Sequence, residues 1–156
     1  MQQVTLEPKK PKMPVVKPEA GFSVLVVDDE QDIAEAARDV IEQMVPHCHV
    51  ETADSCAQGL DAMSRHPFDA VLVDYRMPAG NGFEFIRAAR AAQPEVPVIL
   101  MTAYGSIELA TEAVNACHVD GFLAKPIDAQ ALAQAVEGAI HRGAGEPTSD
   151  EARLAW

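Results

Sequence analysis

The sequence predicts an α/β protein in which a doubly wound, five-stranded parallel sheet is flanked by five helices. Short runs rich in β-branched residues lack the alternation of half-buried strands, which is typical of buried strands in a parallel sheet. Each run is followed by a segment with apolar residues at helical spacing, so a strand–helix unit occurs five times. Connections between parallel strands are right-handed, and helices on both faces of the sheet are therefore expected.

The first half of the domain contains three predicted strands and two predicted helices. Pro46 ends the first helix. Ser55 precedes the second helix and can cap it, whereas Gly59 lies inside that helix and weakens it. The apolar stripe of the first helix comprises Ile33, Ala37, Val40, Ile41 and Met44. The predicted strands are 22–28, 48–53 and 69–74, and the predicted helices are 30–44 and 56–65.

The second half repeats the pattern after a long turn. One proline and two glycines mark residues 76–82 as a loop. The helix that follows closes before Pro94. Asp128 can cap the last helix, whose apolar face carries Leu132, Ala135, Val136 and Ala139. The remaining predicted elements are helices over about 83–92 and 106–117 and strands over 96–101 and 120–124.

The chain divides into a tail, one domain and a second tail. Residues 1–20 are rich in proline and lysine without periodicity, so we expect a disordered, semi-extended segment. Residues 21–142 contain all the periodic segments and form the predicted domain. Residues 143–156 contain glycine, proline and acidic residues, and we expect a second tail there.

The charge of the chain is negative and unevenly distributed. The formal net charge of the 156 residues is -12, but the first 20 residues carry +2, from four lysines and two glutamates. The remainder then carries -14, which argues against nucleic acid as a direct partner of the domain. Lys125 is the single lysine of that remainder, which favours a specific placement for it.

The cysteines and the hydropathy pattern indicate the compartment. The three cysteines, Cys48, Cys56 and Cys117, are odd in number and do not suggest a disulfide framework. A reducing environment is the simplest interpretation. No apolar stretch reaches transmembrane length, and the first residues lack the apolar segment of a signal peptide. We therefore expect a cytoplasmic protein without a membrane partner.

Residues able to take part in phosphate chemistry follow four of the predicted strands. Asp28 and Asp29 end the first strand, Asp74 the third, Thr102 the fourth and Lys125 the fifth. Because the carboxyl ends of parallel strands lie at one edge of a sheet, these side chains are expected to meet there. Three crowded carboxylates would raise one another's pKa values, and a hard divalent cation such as Mg²⁺ would relieve the repulsion.

The same residues suggest a group-transfer reaction. A carboxylate such as that of Asp74 can attack phosphorus and form an aspartyl phosphate. Lys125 and the Thr102 hydroxyl can then hold the transferred phosphoryl oxygens. Each residue also has a structural alternative when taken singly: an aspartate after a strand often forms a turn or caps a helix, and a lone lysine is often a surface charge. The combination on successive strand ends favours the functional interpretation.

With these residues in place, the chain resembles the receiver domain of bacterial two-component response regulators, the CheY-like family. The resemblance covers residues 22 to about 141 and implies the flavodoxin-like (βα)5 receiver fold. It lies in four segments in the family's order and spacing: VLVVDDEQD, AVLVDYRMPAGNGFEFI, VILMTAYGS and GFLAKP.

The resemblance also implies a role for each site residue. Asp74 would be the phosphoacceptor, and Mg²⁺ would be the cofactor. Asp29 would bind the metal directly, Asp28 would support it through water, and the backbone carbonyl of Arg76 would be a further protein ligand. Ala103 is small, as the family requires for access of the phosphate.

A conformational switch is implied by the same resemblance. Thr102 would move towards a phosphoryl group on Asp74, and Phe122 stands where the family has a rotating aromatic side chain. Phe122 has no phenol hydroxyl, so no hydrogen bond of that kind can hold an outer position. A cis peptide bond before Pro126 is expected to aim the Lys125 side chain over the site.

The expected partners are proteins. A histidine kinase or a histidine phosphotransfer protein would dock on the exposed side of the first helix around Ile33 and Ala34, beside the phosphoacceptor. A downstream protein target or a second copy of the chain would bind the face formed by the 106–117 helix, the fifth strand and the last helix.

Three alternatives remain open from the sequence. An aspartate-nucleophile phosphohydrolase shares the nucleophile, lysine and metal, but usually has a second acid two residues after the nucleophile, where this chain has Arg76. A degenerate receiver could serve as a static scaffold. The chain could also be the receiver piece of a larger transcriptional or other effector regulator, since residues 143–156 are too few and too polar to fold alone and no output domain is visible.

Overall fold

The computed structural model describes residues 21–78, 80–103 and 107–143. The described residues contain five strands of one parallel sheet; the first strand along the chain lies between the second and the third, and the fourth and fifth follow the third in order. This arrangement confirms the doubly wound fold predicted from the sequence. The strands are β1 (Phe22–Val27), β2 (Cys48–Ala53), β3 (Ala70–Asp74), β4 (Val98–Thr102) and β5 (Gly121–Ala124). The helices are α1 (Gln31–Met44), α2 (Cys56–Arg65), α3 (Gly82–Ala92), α4 (Ile107–Cys117) and α5 (Ala129–Gly143).

Some predicted boundaries were wrong by one or two residues. β4 begins at Val98 rather than at 96, because Pro97 has no N–H to donate to the ladder, although its carbonyl accepts a hydrogen bond of 2.9 Å from the Val71 N–H. β1, β3, β5, α1, α3 and α4 each begin or end one residue from the predicted position. The predicted loop at 76–82 contains a two-residue antiparallel pairing of Arg76–Met77 with Gly80–Asn81.

The sheet separates two apolar clusters. One face of the sheet packs against α2, α3 and α4, and the other packs against α1 and α5. Strands β1, β3 and β4 are buried on both faces, which explains why their sequences lack alternation. The side chains of Leu25, Leu72, Phe85, Ile99 and Leu100 are among the largest that are fully buried.

Gly59 is required by packing despite its position inside α2. A Cβ atom there would lie 2.9 Å from Cε1 of Phe85 and 3.0 Å from Cγ2 of Val27. Glycine therefore permits α2 to approach both α3 and β1, which offsets its helix penalty of about 1 kcal/mol.

Both predicted helix caps are confirmed. The Ser55 hydroxyl accepts a hydrogen bond of 3.1 Å from the Gln58 N–H at the start of α2. The Asp128 carboxylate accepts one of 2.8 Å from the Ala131 N–H at the start of α5.

The expected tails at 1–20 and 143–156 lie outside the described residues, apart from Gly143 at the end of α5. The three cysteines are free thiols. Burial is the main cause that raises the pKa of Cys48, to about 12, with smaller contributions from the charges of Asp69 and Glu42. Among residues 21–78, 80–103 and 107–143, no helix is both long enough and apolar enough to cross a bilayer.

Candidate functional site

The residues predicted to act together lie at one edge of the sheet. Asp28 follows β1, Asp74 ends β3, Thr102 ends β4 and Lys125 follows β5. The register fixes their relative heights: Asp74 is paired with Met101, and Thr102 with Ala124. An open cleft of about 310 Å³ lies over this edge, and its lining residues are Asp29, Glu30, Asp74, Arg76, Ala103 and Lys125.

Lys125 lies at the centre of the site. Its Nζ atom is 2.8 Å from Oδ2 of Asp28, 3.1 Å from Oε1 of Glu30 and 3.4 Å from Oδ2 of Asp74, while its side chain is 7% exposed. Burial alone would lower the pKa of Lys125. Hydrogen bonds to Asp28 and Glu30 and the charges of Asp28 and Asp74 outweigh burial, so the pKa is raised and the ammonium stays charged.

The backbone of Lys125 is tied to the neighbouring strand. Its N–H donates a hydrogen bond of 2.9 Å to the carbonyl of Thr102, which ties the end of β5 to the end of β4. The Lys125–Pro126 peptide bond is cis.

Asp28 is fully buried within the site and has no solvent exposure. Its Oδ1 atom accepts a hydrogen bond of 2.9 Å from the Glu30 N–H, and its Oδ2 atom accepts the 2.8 Å bond from Lys125. Both carboxylate oxygens are thus engaged, which fixes the orientation of this side chain.

Asp74 is a crowded carboxylate at the end of the central strand. Burial raises its pKa from 3.8 to about 6, and the charge of Asp28 adds to the rise. The charge and hydrogen bond of Lys125, together with a hydrogen bond from the Arg76 backbone, partly offset it. Its side chain is only 7% exposed but lies at the open cleft, so a reactive oxygen can be reached from one direction.

The loop after Asp74 returns closely over the strand end. The Gly82 N–H donates a hydrogen bond of 2.8 Å to the carbonyl of Tyr75. A Cβ atom on Gly82 would lie 3.0 Å from Cα of Tyr75 and 3.1 Å from the carbonyl oxygen of Asp74. Glycine at this position therefore permits α3 to begin directly against the backbone of Asp74.

Glu30 belongs to the site, although the sequence analysis did not select it. Glu30 is the N-cap residue of α1, yet its side chain caps no helix N–H and instead accepts a hydrogen bond from Lys125. Carboxylate oxygens of Asp28, Glu30 and Asp74 all lie within 4.8 Å of one another. Asp29 is exposed at the rim of the cleft and is not part of this close group.

Thr102 and Phe122 lie on the same face of the sheet. Leu100 is paired with Phe122 and Thr102 with Ala124, and side chains two residues apart in a strand point to the same side. Leu100 belongs to the cluster beneath α2, α3 and α4, and Phe122 packs against that cluster. Thr102 is fully buried, whereas Ala103 is exposed at the cleft.

The predicted docking residues on α1 differ in exposure. Ala34 is 2% exposed and packs in the core, so the expectation that it belongs to an exposed docking surface was wrong. Ile33 is partly exposed and lines an apolar groove of about 220 Å³. This α1–α5 groove is lined by Asp32, Ile33, Ala36, Ala37, Val40, Pro126, Ile127, Ala129 and Leu132.

The donor set of the cleft is suited to a hard cation. Every side-chain ligand atom in the close group is a carboxylate oxygen. Mg²⁺ prefers oxygen ligands, and sulfur or imidazole ligands would favour other metals. Burial is the main cause of the raised pKa of Asp74, and the charge of Asp28 adds to it; a divalent cation would relieve that repulsion.

With this geometry established, the class of the protein follows: the chain belongs to the response regulator receiver domain family, whose model matches residues 24–137. Receiver domains are phosphoacceptor switches of two-component systems rather than typical enzymes. They interact with kinases and effector domains.

Particular relatives agree with this assignment. The chain is 34% identical over 116 residues to the response regulator protein PilR of Pseudomonas aeruginosa, covering 74% of this chain and 25% of the relative. It is 40% identical over 102 residues to the transcriptional regulatory protein GlrR of Escherichia coli, covering 65% and 22% respectively. The chain thus spans about a quarter of the length of these curated relatives.

Solved structures show the same fold. A response regulator receiver domain protein from Clostridium thermocellum is 30% identical, with a TM-score of 0.70 over 78% of this chain and 95% of that one. A CheY-like receiver domain protein from Methanospirillum hungatei has a TM-score of 0.72 over 80% of this chain and 98% of that one, at 24% identity.

Proposed function

We propose that the protein is a phosphorylation-dependent signalling switch that accepts a phosphoryl group on Asp74 from a histidine kinase or a histidine phosphotransfer protein. The observation that carries the proposal is the placement of Asp74 at an open cleft, with Lys125 Nζ 3.4 Å from its Oδ2 atom. A nucleophilic carboxylate and a cation able to hold phosphoryl oxygens are the two parts that acyl-phosphate formation requires.

The reaction follows from these parts. A carboxylate oxygen of Asp74 forms a bond to phosphorus while the P–N bond of the donor phosphohistidine breaks, and the imidazole leaves. Lys125 and the Thr102 hydroxyl donate hydrogen bonds to the transferred phosphoryl oxygens. Ala103 leaves the entrance to the cleft open because its side chain is a single methyl group.

Mg²⁺ is the proposed cofactor. Asp28, Asp29, Asp74 and the backbone carbonyl of Arg76 would hold it, as the sequence analysis expects. When bound, the ion neutralises negative charge between the attacking carboxylate and the phosphoryl oxygens. Its support here is the close group of carboxylate oxygens and the charge of Asp28, which adds to burial in raising the pKa of Asp74.

The proposed output runs from Thr102 to Phe122. A phosphoryl group on Asp74 offers new acceptors to Thr102, and movement of Thr102 vacates space on the sheet face that Phe122 shares. Phe122 then turns inward and repacks the surface formed by α4, β5 and α5. That surface is the proposed site for a downstream target or for a second copy of the chain.

The donor protein is proposed to dock at the α1–α5 groove. The groove contains Ile33 and Pro126, and Pro126 directly follows Lys125 of the reaction site. A partner helix placed there would bring a phosphohistidine to Asp74. Charged side chains such as Asp32 border the apolar surface and can orient the partner.

A place in a larger regulator is the second candidate for the whole chain's role. The chain spans only 22–25% of curated relatives such as PilR and GlrR. In that case the receiver would control an effector domain, and the chemistry at Asp74 would be the same. We also propose a cytoplasmic location, because two-component phosphotransfer takes place there. The phosphohydrolase alternative is not supported, because Arg76 lines the cleft where that reaction needs a second acid.

The test is covalent labelling. Incubation with acetyl phosphate and Mg²⁺ should add one phosphoryl group to the wild-type chain and none to the Asp74→Asn variant, as measured by intact mass. Omission of Mg²⁺ is the matched control for the cofactor. Equal labelling of the wild-type protein and the variant would show that another residue is the acceptor.

A further inference from the structure

The ammonium group of Lys125 already contacts three carboxylates before any phosphoryl group arrives: it donates hydrogen bonds to Asp28 and Glu30 and forms an ion pair with Asp74. An ammonium group has three N–H donors. Three carboxylate oxygens surround the Lys125 nitrogen, at 2.8, 3.1 and 3.4 Å. A phosphoryl group on Asp74 brings new acceptor oxygens, which compete with the carboxylates of Asp28 and Glu30 for the donors of Lys125.

The three carboxylates differ in how firmly they are held. Asp28 has no exposure, and its other oxygen is fixed by the Glu30 N–H. Asp74 is the acceptor itself and remains beside Lys125. The Glu30 side chain is 59% exposed, so it can rotate into water at little cost.

From this asymmetry we infer that Glu30 is a positioning residue, which occupies one donor of Lys125 in the unphosphorylated protein and releases it when the phosphoryl group binds. The inference rests on the proposed function of Asp74 and Lys125. It also explains why Glu30, the N-cap residue of α1, caps no helix N–H: its carboxylate instead accepts a hydrogen bond from Lys125. Glu30 thus sets how readily the site accepts a phosphoryl group.

Removal of the Glu30 contact should strengthen binding of a phosphoryl analogue. We expect Glu30→Gln to tighten beryllofluoride binding, at saturating Mg²⁺, by about two- to fivefold, which is the range of one exposed ion pair. Glu30→Asp keeps the charge but is one methylene shorter and loses the contact, so the same direction is expected. Isothermal titration of each purified chain measures the affinity.

Two controls separate this role from a general charge effect and from metal binding. Asp32→Asn makes the same change in net charge at an exposed residue of α1 that lines the α1–α5 groove. Mg²⁺ affinity is titrated separately, without beryllofluoride. The inference requires Glu30→Gln and Glu30→Asp both to exceed Asp32→Asn in tightening beryllofluoride binding, with Mg²⁺ affinity no weaker than in Asp32→Asn.

Three results would overturn the inference. Beryllofluoride affinity unchanged in both Glu30 variants would show that the contact does not compete. A Glu30→Asp variant equal to wild type would show that only charge matters. A Mg²⁺ affinity in Glu30→Gln several-fold weaker than in Asp32→Asn would make Glu30 a metal ligand. Failure of the proposed function looks different: wild type would then bind beryllofluoride no better than Asp74→Asn.

Discussion

Replacement of Asp74 by asparagine should stabilise the metal-free protein in a pH-dependent manner. Burial and the charge of Asp28 raise the pKa of Asp74 to about 6 in the folded state, against 3.8 for the ordinary side chain. Between these values the unfolded chain releases the Asp74 proton first, so stability falls as pH rises through this window. Asparagine has no proton to release and lacks this loss.

The magnitude follows from the two pKa values. Relative to the protonated form, ionisation linkage at Asp74 destabilises the fold by about 1.6 kcal/mol at pH 5 and by about 3 kcal/mol at pH 7.5. The stability advantage of Asp74→Asn should therefore grow by about 1.4 kcal/mol between these two pH values, whatever constant offset the substitution introduces. Above pH 7.5 the difference should be level.

Urea unfolding in EDTA at a series of pH values measures this difference. Other carboxylates titrate in both proteins and cancel when the variant is compared with wild type. Asp39→Asn, at an exposed position of α1, is the control for a change of one unit in net charge. A stability difference between wild type and Asp74→Asn that is constant from pH 5 to 7.5, or that shrinks as pH rises, would show that the pKa of Asp74 is not raised by folding.

Three further predictions concern the metal, the switch and the docking groove. Mg²⁺ at a concentration tenfold over its Kd should stabilise wild type by about 1.4 kcal/mol, and Asp29→Ala should remove most of this gain. Thermal melts with and without the ion measure the gain. An equal gain in both proteins would exclude Asp29 as a ligand. Thr102→Ala should still be labelled by acetyl phosphate, but labelling should not change its oligomeric state or its affinity for a partner. Light scattering measures the first and titration the second. A labelled variant that switches as fully as wild type would contradict the proposed route from Thr102 to Phe122. Ile33→Asp should slow phosphotransfer from a partner by about tenfold or more, because a charge in the apolar groove opposes docking. Labelling by acetyl phosphate should be retained. Parallel loss of both reactions would indicate damage to the fold.

The sheet and the gathering of site residues at its edge were predictable from the sequence. Buried strands without alternation identify a parallel sheet, and parallel strands place their carboxyl ends together. These two rules are enough to place Asp28, Asp74, Thr102 and Lys125 at the same edge of the sheet. In the structure, Thr102 is paired with Ala124, the residue that precedes Lys125.

Glu30 could not be selected from the sequence in the same way. A glutamate before a helix is common, because acidic side chains favour helix N-termini. Its role depends on Lys125, which is 95 residues away along the chain. The single available signal was the third consecutive acid in the Asp28-Asp29-Glu30 run, and charge alone does not show where a side chain points.

The sequence pattern also did not show which side of α1 faces the core. The predicted stripe included Ala37 and Ile41, which are buried, but also Met44; Ala34, expected on the exposed docking side, is the third buried residue of the helix. Met44 is 47% exposed. Small alanines carry a weak hydrophobic signal, so packing of α1 against β1, β2 and α5 decided which side of the helix faces inward.

The most direct test of the central claim is chemical trapping of the phosphorylated residue. After incubation with acetyl phosphate and Mg²⁺, borohydride reduces an aspartyl phosphate to homoserine, and peptide mass spectrometry locates the reduced residue. We expect homoserine at position 74 alone, and none in the Asp74→Asn variant. Homoserine at another aspartate of the wild-type chain, with Asp74 unmodified, would contradict this expectation.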